Sequence, residues 1–414
     1  MNTKPLTFAI VGAGTRGEFF ADWIARRPDA GRVVAVADPA AARRDLVAAR
    51  CGIAPDMRFK SWADLLAGPR LADVLINATM DRDHGPVCLA ALPQGYHMLL
   101  EKPMATTLDQ CVEVDRLARV HGCIVAVCHS LRYIPVWKKV KAMLDEGAIG
   151  RLISFDQTEG VGPEHFAHSY VRGNWNSRRC GTFMLMAKNC HDIDQLAWMA
   201  ARPCRRVSSF GELSLFTPAN CPPGAPAYCV QNCPHEKTCL YSAIRIYGPN
   251  PLPYRWEQAK MPADGAARMD LLKTSPYGRC VWRCDNEMVD HQIVAMEFDG
   301  GVTGTFTMTA YAKMERRLFL SGTTGTIRAQ LETGRIELYD FATDRQEEMV
   351  ITQEGAEDHS GGDAQVIATL AAAVAAGDAS MVRSSTSETL ATHKIVFAAE
   401  QSRLEGRVVS LDEV

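Results

Sequence analysis

The chain has 414 residues, 47% of them hydrophobic and 22% charged, with a formal net charge of -3 at pH 7. That length leaves room for two or three domains, and a near-neutral balance argues against nucleic acid or an anionic membrane as the main partner. No apolar run reaches the roughly 18 residues of a membrane span. No signal or transit pattern opens the chain, so a cytoplasmic location is expected. There the 14 cysteines read as thiols or metal ligands rather than disulfides.

The first 130 residues alternate strand and helix patterns. Leu6–Gly12, Arg32–Asp38, Asp73–Thr79, Tyr96–Glu101 and Cys123–Cys128 are short apolar or β-branched runs that fit parallel strands buried on both faces. Between the first two, Arg16–Arg27 carries Phe19, Phe20, Trp23 and Ile24 on one side of a helix. This alternation predicts a doubly wound α/β domain over residues 1–130. Within it, Gly12, Gly14 and Gly17 form G-x-G-x-x-G between strand and helix. The first glycine permits the tight turn, the second lets a pyrophosphate approach the backbone, and the third allows helix–strand packing. Thr15 and Arg16 join that set at the helix N-terminus, where free N–H groups favour an anion. Asp38 ends the next strand. A carboxylate there accepts hydrogen bonds from a ribose and repels a 2′-phosphate, which favours NAD over NADP. Arg43 and Arg44 argue the other way, since either can hold a phosphate.

Residues 131–414 change rhythm. Pro135–Gly147 reads as a helix with Pro at its start and Gly at its end, and Arg151–Glu159 as a strand. Residues 213–284 are rich in Pro and Cys, have no period, and read as an irregular insertion. Gln292–Phe298, Val302–Thr309, Leu318–Ser321, Gly325–Gln330 and Arg335–Tyr339 follow as strands joined by Gly turns, which predicts a largely antiparallel sheet. Helices close the chain within residues 361–404. The expected fold is therefore α/β: a Rossmann domain, then a second α/β domain with a largely antiparallel sheet.

Two clusters carry possible chemistry. Lys102 precedes Pro103, so its backbone is held extended. It lies at the carboxyl edge of the first sheet, where such folds bind ligands. An ammonium there can orient a hydroxyl or join a proton relay; a surface pair with Glu101 is the plainer alternative. Thr182 to Ala200 reads as one helix that lines up Lys188, His191, Asp192 and Gln195. His191 can exchange a proton near neutral pH, and Asp192 can orient it; a Lys188–Asp192 surface pair is the alternative.

These residues bring a family into view. The glycine loop, Asn77-Ala78-Thr79-Met80-Asp81-Arg82-Asp83-His84, Glu101-Lys102-Pro103, His129-Ser130-Leu131-Arg132-Tyr133 and His191-Asp192-Ile193-Asp194 resemble the glucose–fructose oxidoreductase/inositol dehydrogenase (Gfo/Idh/MocA) family. The resemblance implies an NAD-dependent oxidoreductase that moves a hydride to or from a hydroxyl-bearing carbon of a sugar or cyclitol. It places Asn77, Ala78, Thr79, His84, Glu101 and Lys102 at the cofactor, makes Lys102, His191, Lys188 and Asp192 the catalytic candidates, and implies a strained, often cis, peptide at Pro103. Arg132, Tyr133 and His359 become candidate substrate contacts, although Asp363 beside the Gly361-Gly362 turn reads equally as a helix cap. It further implies a homo-oligomer, a dimer or tetramer. Relatives that act as NAD-dependent glycosidases through transient oxidation and elimination use the same residues, and a non-catalytic NAD-binding sensor or scaffold is the third reading. The chain departs from inositol-dehydrogenase-like members at Ala187, where they carry an Asp four residues before the His; Lys188 follows instead.

The insertion holds Cys221, Cys229, Cys233 and Cys239, with Cys280 and Cys284 beyond. Four thiolates can hold a structural zinc. Cys229, Cys233 and Cys239 are the best three; Cys221, Cys280 and Cys284 compete for the fourth place, an iron–sulfur cluster is an alternative, and so are unliganded thiols. Asp285, Asp290 and His291 stand at a strand entrance as further polar candidates. Cys88, Cys111, Cys123 and Cys128 sit in apolar patterns and are expected in the core.

Overall fold

The computed structural model describes residues 5–179, 181–253, 255–352 and 361–414. β1 (Leu6–Val11), β2 (Gly31–Ala37), β3 (Arg58–Phe59), β4 (Val74–Asn77), β5 (His97–Leu100) and β6 (Val125–Val127) form a six-stranded sheet in the order β3-β2-β1-β4-β5-β6. Every pair is parallel. Its strands are apolar on both faces because helices cover both: Phe8 and Ile10 of β1 enter one core, Ala9 and Val11 the other. Strand order reverses between β1 and β4, so the crevice beyond their carboxyl ends is where such a sheet takes a ligand. Sequence reading missed β3, which is too short to carry a period.

The second sheet has nine strands. β7 (Leu152–Gly160), β8 (Cys204–Glu212), β9 (His291–Phe298), β10 (Thr303–Thr309), β11 (Glu315–Gly322), β12 (Gly325–Gln330), β13 (Arg335–Asp340), β14 (Arg345–Val350) and β15 (Val409–Ser410) run in the order β14-β13-β12-β11-β7-β10-β9-β8-β15. Only β7 and β10 pair in parallel; the hairpins are antiparallel, as their Gly turns predict. β14 escaped prediction because nearly every residue in it is exposed and no alternation marks it. β7 points Phe155, Gln157 and Glu159 inward, under the helices that include Cys190–Ala200. Phe155, Val294, Phe298, Phe306 and Leu320 from the sheet meet Trp137, Ile193 and Leu196 in one core.

The end of the chain ties the two sheets together. Helix Gly362–Ala376 sends Val366, Ile367 and Leu370 into the core beneath β1. Helix Thr386–Glu405, capped by the Ser385 side chain, which accepts from the Glu388 amide, lies against Leu108–Val120 and β8. Residues 213–284 hold short helices and turns around a small core of their own, which includes Ala243, Ile246, Tyr247 and Leu272. No described helix is long and apolar enough to cross a membrane.

Candidate active site

The dinucleotide crevice is built from the turn between β1 and helix α1 (Thr15–Ala25). Gly12 has φ +88°, and a Cβ there would lie 2.3 Å from the Ala78 carbonyl oxygen. A Cβ on Gly17 would lie 1.9 Å from the Gly12 oxygen. Gly14, by contrast, faces open space. No side chain caps α1, so its first amides point toward that open side, as a pyrophosphate requires. The buried Asp38 carboxylate accepts from the Ala13 amide at 2.7 Å and the Ala40 amide at 2.8 Å. Arg44 donates to the Asp38 carbonyl at 2.7 Å and is thereby committed; Arg43 is exposed. These residues fit a dinucleotide.

Several expected cofactor contacts also hold the frame of the crevice. Arg16 pairs with Glu101 at 2.5 Å and with Asp363 at 2.7 Å, so its guanidinium and the Glu101 carboxylate are taken up by each other. Asp363 is that ion-pair partner rather than a helix cap: its helix carries no side-chain cap. The fully buried Asn77 donates to the His84 carbonyl and accepts from Thr79. His84 stands between the Pro103 carbonyl, 2.6 Å away, and the Thr79 carbonyl at 3.2 Å. Asn77, Thr79 and His84 thus lock the β4 turn to the loop that holds Lys102.

The Lys102–Pro103 peptide is cis. Lys102 Nζ donates to the Ala187 carbonyl at 2.5 Å, which carries the ammonium across to the second domain. The single helix expected over Thr182–Ala200 is two, Met184–Ala187 and Cys190–Ala200. The break falls at Lys188 and Asn189, because both side chains turn inward to the buried Glu159: Lys188 Nζ sits 3.1 Å from Glu159 Oε1, and Asn189 donates to Oε2. Lys188 therefore pairs with Glu159, not Asp192. Asp192 accepts from Gln157 at 2.8 Å and Arg316 at 2.8 Å. Arg316 also reaches Glu159 at 2.6 Å, as their opposed positions on β11 and β7 dictate.

Burial dominates this network. It lowers Lys188, helped by Arg316 and Lys102, against Glu159. It pushes Asp192 up to about 7, with Glu159 adding to the rise against Arg316. Burial also works to raise Glu159, but Arg316 and Lys188 outweigh it and hold that carboxyl below its usual range. The cluster is a set of two buried acids and two cations, Lys188 and Arg316, that each keep a small exposed fraction.

Residues 6–129 match the NAD-binding Rossmann domain, and residues 141–411 the C-terminal α/β domain, of the Gfo/Idh/MocA oxidoreductases. The chain belongs to that family. It is 25% identical over 315 residues to the YteT protein of Bacillus subtilis, covering 70% of each chain. It is 31% identical over 215 residues to inositol 2-dehydrogenase 4 of Saccharopolyspora erythraea, covering 50% of this chain and 58% of that protein. Among solved structures, levoglucosan dehydrogenase in complex with NADH and levoglucosan superimposes with TM-score 0.70 at 17% identity, over 99% of this chain and 100% of that one. The WlbA dehydrogenase of Bordetella pertussis, in complex with NADH and UDP-GlcNAcA, gives 0.67 at 17%, over 98% and 99%. These two likenesses carry the fold.

The rest of this oxidoreductase's candidates separate clearly. Arg132, read as a substrate contact, is buried and forks onto Asp194 at 2.7 and 2.8 Å while donating to the Arg383 carbonyl. Tyr133 donates its hydroxyl toward Ser384 and accepts from the Arg383 amide. Both brace the segment that leads into helix Thr386–Glu405. Sequence reading missed two residues of the site's inner wall, Asp194 and His393. The His129 ring stands edge-on to His191 and to His393, 5.6 Å from each, and His393 accepts from the Met104 amide beside the cis proline. His393 gave no signal in sequence: it sits in an ordinary helix far down the chain. Asp290 is a buried hub for Ser214, Leu215, Tyr311 and His291, and Asp285 an exposed partner of Arg279. His359 lies outside the described residues. Cys88, Cys111 and Cys128 are buried and Cys123 half-buried. In the insertion, Cys229, Cys233, Cys239 and Cys280 line one narrow cavity; Cys221 and Cys284 face the Pro222 and Cys280 carbonyls instead.

Proposed function

We propose that this oxidoreductase transfers a hydride between NAD and a hydroxyl-bearing carbon of a sugar or cyclitol. The observation that carries the reading is the Lys102–Ala187 contact, which sets an ammonium from the dinucleotide domain against the segment that bears Lys188 and His191. The bound nicotinamide supplies the hydride acceptor or donor. Lys102 then orients the reacting hydroxyl, and His191 accepts its proton on oxidation or returns it on reduction. Lys188 adds a second cation that favours negative charge developing on the substrate oxygen. The substrate class rests on relatives with that chemistry in their names, inositol 2-dehydrogenase and D-xylose dehydrogenase among them. NAD is preferred over NADP because the Asp38 carboxylate would meet a 2′-phosphate. A homo-oligomer would bury the outer sheet face, where Phe210 and Ile293 stand opposite each other and exposed.

The test is a screen of aldoses, inositols and anhydrosugars for NADH formation by the purified chain. Activity on at least one, lost in Lys102→Met and His191→Asn and slowed in Lys188→Met, supports the reading. NADH that binds but stays inert with every polyol and its ketone overturns it.

A further inference from the structure

The cysteine-lined cavity lies in the insertion, away from the Lys102 site, and the reaction leaves it unused. An antiparallel bridge between Tyr228 and Arg279 sets up its floor. The Cys229 amide donates to the Gly278 carbonyl and the Cys280 amide to the Ala227 carbonyl, so both cysteines project from the face opposite Tyr228 and Arg279. The turn 233–239 closes over them, held by the Cys239 amide on the His235 carbonyl at 2.8 Å. The space left is about 10 Å³, room for a single water-sized sphere. That suits an ion and excludes an organic ligand or a cluster of several atoms.

A second observation sets the sign of the charge. Arg172, 2% exposed, lines the same cavity. Its partners include the Arg279 carbonyl at 2.7 Å, the Tyr241 carbonyl at 2.7 Å and the Cys229 sulfur at 3.7 Å, none of them a carboxylate, and its Nη1 has no hydrogen-bond partner. Glu236 is the one carboxylate lining the cavity among the described residues, and it is not a partner of Arg172. A buried guanidinium without a counter-charge is costly. The sulfurs that surround it can supply that charge only as thiolates.

We infer that Cys229, Cys233, Cys239 and Cys280 form a tetrathiolate site for one zinc ion, with Arg172 as its buried counter-cation. Four thiol protons leave to solvent, four Zn–S bonds form, and no electron is exchanged. The complex carries a charge of about 2−, of which Arg172 offsets about half. His235 is not a ligand, because its Nε2 is engaged by the Pro223 carbonyl at 2.8 Å. Among the described residues no three such side chains already stand at metal-ligating spacing. The ion therefore draws the 233–239 turn inward, to Zn–S distances of about 2.3 Å. Arg172 ends the helical turn Ala167–Arg172, so the ion anchors that turn to the insertion.

The full-length protein, purified without added metal, should hold about one zinc per chain by mass spectrometry. A mercurial reagent should release it as the thiols react. Cobalt exchanged into the site should show the intense visible bands of tetrahedral thiolate ligation. Cys233→Ser and Cys239→Ser should lose at least nine-tenths of the zinc, while Cys221→Ser and Cys284→Ser keep it. Arg172→Met should weaken zinc binding about tenfold or more, and Arg172→Lys should restore part of the loss. The metal content and cobalt spectrum of the unsubstituted protein stand as tests even where a variant fails to fold. Absence of zinc, iron with acid-labile sulfide in its place, octahedral cobalt, or equal zinc loss from Cys221→Ser would each overturn the assignment.

Discussion

The Lys102 ammonium donates to the Ala187 carbonyl, and Ala187 stands where the family resemblance leads one to expect a carboxylate. A lysine from the first domain thus meets backbone, not an acid, in the second. The loop that delivers it is fixed from two directions, by His84 on the Pro103 carbonyl and by His393 on the Met104 amide.

From that arrangement Lys102→Met is expected to lower kcat by about 10²–10⁴-fold, the usual contribution of a positioned acid–base group. NADH affinity should stay within about twofold, since the glycine turn is untouched. Lys102→Arg should not restore turnover, because a planar guanidinium cannot replace a compact ammonium at a short contact. Stopped-flow hydride transfer and NADH fluorescence titration separate the two effects. A variant that loses NADH affinity and rate together would show that Lys102 holds the cofactor instead.

Asp38 governs the choice of cofactor. The Ala13 and Ala40 amides bind different oxygens of Asp38, so Asp38→Asn keeps an acceptor for only one of them while it removes the charge. It should shift the NADPH-to-NADH affinity ratio toward NADPH by about tenfold, or about 1.4 kcal/mol. Titration of both reduced cofactors reads this directly. An unchanged ratio would mean that Arg43, not Asp38, sets the preference.

Much of this site was legible in sequence because its parts are local. The glycine turn, Asp38 and the cis proline each depend on neighbours within a few residues, and a short motif can encode them. The roles of Arg16, Arg132, Lys188 and Asp192 were not legible in that way. Each depends on a charge that arrives from far along the chain: Asp363 for Arg16, Asp194 for Arg132, Glu159 for Lys188, Arg316 for Asp192. Helical spacing offered a Lys188–Asp192 pair as the alternative to a catalytic role, and a buried carboxylate on β7 takes Lys188 instead. The mixed sheet was hidden for a related reason, because the β7–β10 pairing joins strands separated by the whole insertion.

Arg132 tests the difference between a wall and a contact. Its partner Asp194 is fully buried, so removing the guanidinium strands a charge. Arg132→Met should cost about 3–5 kcal/mol of stability, seen as a lower urea midpoint, with Arg132→Lys recovering part of it. If the variant instead keeps its midpoint and only raises KM, Arg132 faces substrate.

The three-histidine wall makes stability depend on pH, and the sign follows from burial. Burial lowers His129 from 6.5 to about 4, reinforced by Arg132 and Lys102 and opposed by Asp194 and Glu101. It lowers His393 to about 3, reinforced by His129 and Lys102 and opposed by Asp194. Between pH 6.5 and about 4 the unfolded chain binds protons that these folded imidazoles refuse, so their contribution falls as pH drops and is constant above 6.5. Asp192 acts the other way. Its carboxyl is raised from 3.8 to about 7, so between those values the folded chain binds the extra proton and acid stabilises it. The two contributions oppose each other over one window, and Asp192 offsets part of what the two histidines lose as pH falls. Each substitution should unmask the other. His129→Gln should gain stability relative to the parent on going from pH 6.5 to pH 4, on the order of 3 kcal/mol for the shift removed. Asp192→Asn should lose stability more steeply than the parent over the same range. Urea unfolding at half-unit pH steps measures both, and parallel profiles for all three proteins would show that neither group carries the pH dependence.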